Sequence, residues 1–230
     1  MVGVVTGTRE RIVAAAAALL REGGREAVST RAVSAAAGVQ APTIYRAFGD
    51  KQGLLDAVAL DGFQAYLSSK TGLPPSDDPV ADLRRGWDLH VGFGLANPAL
   101  YSLIYGEPRP GAANPAAEAA ARVLAGQVRR IAEAGRLRVS EEHAAHLVHS
   151  AGCGMTLTQI GLPEDRRDTT LSHLAREAVI AAITTDATPT AAPGAAGAAI
   201  TLRAALPGTD ALTPREGALM VEWLDRIAHQ

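Results

Sequence analysis

The 230-residue chain has a single cysteine, Cys153, which excludes a disulfide framework and any zinc module built from several thiolates. Aromatic residues are only 4% of the composition, and β-branched residues rarely alternate with polar ones, so the period-two pattern of strands is missing. No run approaches the ~18 consecutive apolar residues of a membrane span. Residues Met1 to Arg11 lack the basic segment and apolar stretch of a secretory signal. With a formal net charge of -2 the chain is no polycation, and any nucleic-acid contact must come from a local patch. The sequence has no G-x-S-x-G elbow, no phosphate-binding glycine loop, no dinucleotide fingerprint and no H-E-x-x-H. The expectation is a soluble, cytoplasmic, non-enzymatic protein with no cofactor and no membrane contact.

What is present points to one fold class. Hydrophobic residues make up 47% and charged residues 20%, as in an ordinary globular protein large enough to bury a core. Alanine, the strongest helix former, is the commonest residue, and the chain reads as all-α. Ile12, Ala16, Leu19 and Leu20 share a helical stripe, with Thr8 as its expected cap and Gly23-Gly24 as its stop. Ser29 or Thr30 opens a short helix that ends at Gly38, and Pro42 sits just inside the start of another. Gly49-Asp50 closes that helix and caps a long one from Lys51 to about Leu67. Further helices are expected from Asp77 or Asp78 to Asn97, from Ala99 to Tyr105, and from Asn114-Pro115 to Gly135. Others follow over Glu141–Ile160, from between Glu164 and Thr169 to about Thr184, over Ala198–Leu206 and over Pro214–Ala228. Residues 106–113 read as a Pro/Gly loop, and residues 186–197 as a linker rich in Ala, Pro and Thr.

The chemistry concentrates in Thr30–Phe48, which has the plan of a helix-turn-helix: helix, glycine turn, then a short helix opened by proline. Residues 1–60 carry seven basic side chains against five acidic ones, and residues 61–230 fifteen against nineteen. The sign is right for a head that faces DNA and a body that does not.

The segment VSTRAVSAAAGVQAPTIYRAFGDK, Val28 to Lys51, followed by QGLLDAV, resembles the DNA-binding domain of the TetR family of bacterial transcriptional regulators. The glycine turn at Gly38, the core Thr43-Ile44-Tyr45, Phe48, and Lys51 at the start of the next helix match together. The likeness covers about the first 65 residues. It implies an N-terminal three-helix helix-turn-helix domain over 1–50 and a helical effector-binding and dimerisation body over 51–230. Ala41 departs from the pattern, standing where the family often places a polar base-reader.

In the head, Thr30 and Tyr45 offer hydroxyls to phosphate oxygens, and Lys51 an ammonium at a helix start. Gln40, Thr43 and Arg46 can reach base edges or the backbone. Ala41, Pro42 and the Thr43 methyl can pack on thymine methyls, and Arg31 suits bidentate readout of guanine. The plain alternative for each is a solvated surface residue. Ile12, Leu19, Val33, Val39, Ile44 and Phe48 are expected to form the small core of the head. One short helix reads few bases, so a homodimer on a palindromic operator of double-stranded DNA is expected.

In the body, the resemblance implies a four-helix dimer seam from Glu141–Ile160 and Thr169–Thr184, where Ala151, Gly152, Gly154, Ala181 and Ala182 permit close approach. Intramolecular packing accounts for these helices equally well. Trp87, His90, Val91, Phe93, Tyr101, Leu103 and Tyr105, with His149 and Cys153, are the candidate pocket for a hydrophobic or aromatic small-molecule effector. Core filling is the plain alternative. His146, His149 and Cys153 share a helix face, but positions i and i+7 lie ~10 Å apart along the axis, so no metal site is expected. The function expected is a one-component regulator, a repressor released by its effector. The alternative is a helical ligand-binding or scaffold protein without specific DNA binding.

Overall fold

The structure, a computed structural model, describes residues 7–72, 74–106, 114–185 and 194–228. The described residues are helical with no named strand, and they fall into two compact units: Met1–Gly72 with Gly92–Ala120, and Leu73–Val91 with Ala121–Gln230.

The first unit holds α1 (Thr8–Ala27), α2 (Thr30–Ala37), α3 (Ala41–Phe48), α4 (Lys51–Thr71) and α6 (Pro98–Tyr105). The C-terminal end of α5 (Pro79–Ala96) and the first turns of α7 (Pro115–Glu133) complete it. Helix α1 is amphipathic, and its Ile12, Val13, Ala16 and Leu20 are buried with Val33, Ile44, Leu54, Leu55 and Val58. Burying such side chains stabilises the unit by about 1.5–3 kcal/mol each. Three residues expected in this core, Leu19, Val39 and Phe48, are only half-buried. The cap of α1 is Gly7, not Thr8: the Glu10 carboxylate accepts from the Gly7 N–H at 3.1 Å. The Gly23-Gly24 stop is a break in backbone angles, with Gly24 at φ 65°, after which one more turn reaches Ala27.

The second unit holds the first turns of α5, the remainder of α7, α8 (Glu141–Ile160), a 3-10 turn (Glu164–Arg166), α9 (Thr169–Ile183), α10 (Ala195–Ala205) and α11 (Pro214–Ala228). Ser140 caps α8 by accepting from the His143 N–H at 3.2 Å, and Asp168 caps α9 through Thr170 at 2.8 Å. Between those helices Gln159 and Asp168 exchange two hydrogen bonds, of 3.0 and 3.2 Å. Gln159 is fully buried, so this pair satisfies polar groups that water cannot reach. Asp82 is buried among Ser76, Arg85 and Arg130. Burial alone would push its carboxyl up, but those hydrogen bonds and the neighbouring guanidinium charge prevail and hold it at about 2.

The C-terminal hairpin is anchored in this unit. Arg129 of α7 donates to the Ala204 carbonyl at 2.8 Å, and Arg203 pairs with Glu141 at 3.5 Å and Asp225 at 2.6 Å. Helix α10 starts at Ala195, three residues before the sequence suggests, because Gly194 can cap it and alanine favours helix. Residues 107–113 of the expected loop and residues 186–193 of the expected linker lie outside the described residues.

Candidate nucleic-acid interface

Local caps and glycine turns build the head and place side chains on one surface. Ser29 caps α2 by accepting from the Ala32 N–H at 3.1 Å. Gly38 then adopts φ 64°, a left-handed conformation that glycine takes without strain, and the Val39 N–H closes the turn on the Ser34 carbonyl at 3.1 Å. Gln40 begins α3 with no side-chain cap, and Pro42 occupies its first turn. Asp50 caps α4 by accepting from the Gly53 N–H at 2.7 Å. Gly53 is itself required there, because a Cβ would stand 2.1 Å from the Phe48 carbonyl oxygen.

These devices turn Val33 and Ile44 inward, at 0% and 2% exposure. The expected contact residues divide consistently. Arg31, Gln40, Pro42, Tyr45, Arg46 and Lys51 are exposed, while Thr30, Ala41 and Thr43 are half-exposed. Tyr45 is 51% exposed. From Thr30 to Phe48 there is no acidic residue. The first acid, Asp50, is engaged in capping.

Sequence reasoning counted Arg9 and Arg11 as charge but assigned them no site. In the structure they line an open hollow of about 540 Å³ together with Gly38, Val39, Thr43 and Arg46. The Arg9 guanidinium also lies 4.9 Å from the centre of the Phe48 ring, a cation–π geometry. No periodicity places the start of α1 beside α3; only packing does. Arg25 is committed elsewhere, donating to Gln52 at 2.9 Å, and Gln52 in turn donates to Asp56 at 2.9 Å.

Residues 12–58 match the family described as bacterial regulatory proteins, tetR family. The head is thus similar to the DNA-binding domain of that family. Solved structures extend the likeness in fold to about three quarters of the chain. One is a TetR-family transcription regulator from Shewanella sp. PV-4, with 19% identity, a TM-score of 0.62, and coverage of 78% of this chain and 99% of that one. Another is FadR from Bacillus subtilis in complex with stearoyl-CoA, with 16% identity, a TM-score of 0.62, and coverage of 74% and 96%. A third is TetR-Q116A from Acinetobacter baumannii AYE in complex with minocycline, with 24% identity, a TM-score of 0.54, and coverage of 74% and 93%. No curated protein matches the sequence significantly.

The nine candidate effector residues fall in both units. In the first unit, Phe93, Tyr101 and Tyr105 pack with Phe63 and Tyr66. Ring centres are 4.7 Å apart for Tyr66–Phe93 and 4.8 Å for Tyr101–Tyr105. Tyr101 is fully buried and Leu103 nearly so; this is the packing of a core. Trp87, His90, Val91, His149 and Cys153 belong to the second unit. There Trp87 donates its indole N–H to Ser172 Oγ at 3.0 Å. The Cys153 sulfur lies 3.9 Å from His90 Nε2 and 3.7 Å from His149 Nδ1. Burial, and then the charge of His146, lower the His149 pKa, so it favours the neutral ring. Among the described residues no three His, Cys, Asp or Glu side chains are placed to hold a metal ion, and no helix is long and apolar enough to cross a membrane.

The expected dimer helices present a mixed face. Gly152 is spent inside the unit, where a Cβ would meet His90 and Trp87 at 3.6 and 3.7 Å. Leu147 of α8 and Leu171 and Leu174 of α9 are exposed, Leu174 at 63%. Gly154, Ala181 and Ala182 are exposed as well, and Ala151 is half-exposed.

Proposed function

We propose that this chain is a cytoplasmic, non-enzymatic repressor that binds a palindromic operator as a homodimer and leaves it when a small hydrophobic or aromatic effector binds. The reading is carried by the acid-free surface of α2 and α3, on which Arg31, Tyr45, Arg46 and Lys51 are exposed while Val33 and Ile44 anchor the helices. Residues 1–50 read the DNA. Lys51 faces phosphate, Arg31 reads a base edge, and Gln40, Thr43 and Arg46 contribute from the recognition helix. Thr30 and Tyr45 hold phosphates, and Ala41 and Pro42 pack on thymine methyls.

Residues 51–230 bind the effector and dimerise. The second copy covers Leu147, Leu171 and Leu174. The effector contacts Trp87, His90, His149 and Cys153 of the second unit, with Val91 beside them, while Phe93, Tyr101, Leu103 and Tyr105 stay in the aromatic core of the first. Structures of this fold solved with minocycline and with stearoyl-CoA support a small-molecule effector. Helix α4 begins at Lys51 and runs to Thr71, so an effector that shifts its far end moves the head. To clear the operator, the effector must prefer the released state by several kcal/mol.

Fluorescence anisotropy on a labelled fragment of the chain's own promoter tests this reading. Specific binding weakens steeply as salt rises, because counterions released from phosphates drive it. Binding indistinguishable from that to scrambled duplex at every salt concentration leaves only the ligand-binding or scaffold role.

A further inference from the structure

We infer that Arg9, Arg11 and Arg46 form a clamp for the phosphodiester backbone, built from the start of α1 and one flank of α3, and that it grips duplex of any sequence. The inference rests on the DNA-binding reading above. It extends the contact surface beyond Thr30–Phe48 and sets Arg46 on phosphate, not on a base edge. The three arginines line one open hollow with Thr8, Thr43 and Ala47. Its volume of about 540 Å³ equals roughly eighteen waters at ~30 Å³ each. That is room for a stretch of sugar-phosphate, and more than a single small anion fills.

Charge and geometry agree on the occupant. Among the described residues no carboxylate stands in the lining. Glu10, between Arg9 and Arg11, is committed to the cap of α1, where it accepts from the Gly7 N–H at 3.1 Å. Asp50 is committed to the cap of α4. Thr43, Arg46 and Ala47 stand at i, i+3 and i+4 and so share the face of α3 that lines the hollow with α1. Pro42 and Tyr45 are exposed on another flank of the same helix. The Phe48 ring, 4.9 Å from the Arg9 guanidinium, holds one cation at the start of α1. Three like charges around one hollow repel each other, and a polyanion relieves that repulsion. Guanidinium groups also match phosphate oxygens with paired N–H donors, and the Thr8 and Thr43 hydroxyls can donate to the same strand. Phosphate contacts carry no sequence information, so the clamp contributes affinity and register, not preference.

Anisotropy of the full chain over a salt series, on a duplex from its own upstream region and on a mixed-sequence duplex of equal length, tests this. Arg11→Gln and Arg46→Gln are each expected to lower the slope of log affinity against log salt by about 1, and together by about 2, on both duplexes. The ratio of the two affinities is expected to stay unchanged. Arg11→Lys combined with Arg46→Lys keeps both charges and is expected to restore the slope, a rescue that a purely structural role does not give. Methylphosphonate substitution neutralises one phosphate at a time. It is expected to weaken the unaltered chain at a few positions and to have no effect there on the double glutamine variant. A slope unchanged in that variant, a fall confined to the upstream duplex, or a lysine variant with the glutamine slope would each overturn the inference. If the unaltered chain shows no preference for the upstream duplex, the operator reading fails, while the slopes on mixed-sequence duplex decide the clamp. No binding to either duplex overturns both.

Discussion

The Arg9 guanidinium lies 4.9 Å above the Phe48 ring, tying the first turn of α1 to the last turn of the recognition helix. The contact fixes the attitude of α3 and brings a cation to the hollow that Thr43 and Arg46 also line. Arg9→Gln is therefore expected to weaken operator binding and reduce the dependence of log affinity on log salt by about 1, as for one lost phosphate contact. Phe48→Ala removes the platform under the guanidinium as well as packing, and is expected to cost about 1–3 kcal/mol of stability for a half-buried ring. Anisotropy over a salt series and thermal melting read the two effects. An unchanged salt slope in Arg9→Gln would place that residue outside the interface.

Lys51 and Arg31 are both exposed, yet their positions imply different roles. Lys51 opens α4 and is proposed to face phosphate, so Lys51→Ala should weaken binding to all duplexes alike. Arg31, in the first turn of α2, is proposed to read a base edge. Arg31→Ala should cost about 1–3 kcal/mol on the preferred sequence and relax preference at one base pair. Binding measured across an operator library separates the two; equal loss of preference in both variants contradicts the assignment.

Asp82 makes stability depend on acid. Its folded pKa of about 2 is below the ordinary 3.8, so its contribution is present above pH 3.8 and is lost as pH falls through about 2. Asp82→Asn keeps the shape but not the charge that holds Arg130 and Arg85. It is expected to cost roughly 1–3 kcal/mol near neutral pH and to flatten the loss of stability on acidification. Chemical denaturation at several pH values tests this. A variant that loses stability on acidification as steeply as the unaltered chain would assign the acid sensitivity to other carboxylates.

Leu174 is 63% exposed on α9, a face suited to a second copy. Leu174→Glu should shift the chain from dimer to monomer in sedimentation velocity while leaving helix content unchanged, because the side chain contributes little to the core of its own unit. A dimer unaffected by the charge would move the seam elsewhere, with the exposed Leu219 and Trp223 of α11 the next face to test.

The elements legible in the sequence were those whose ends carry their own chemistry. Ser140 and Gly161 bracket α8, Asp50 opens α4, and Gly38 turns the head; each is a local signal that packing did not override. Thr8 was less informative, because Gly7 and Glu10 together cap α1 without it. The exposure of the candidate contact residues follows from helical period, since Val33 and Ile44 turn inward and their neighbours outward. What periodicity does not carry is which side chains from distant segments meet. Thus Phe93 packs with Phe63 and Tyr66, and Tyr101 with Phe93, while Arg9 reaches Phe48 across the head.

Sedimentation of the purified chain with a duplex protected in its own upstream region measures the central claim directly. The account predicts two copies per duplex on an inverted repeat, with the centres of the half-sites about one helical turn, ~35 Å, apart. A chain that stays monomeric at cellular concentration, or an upstream region with no protected inverted repeat, would contradict it.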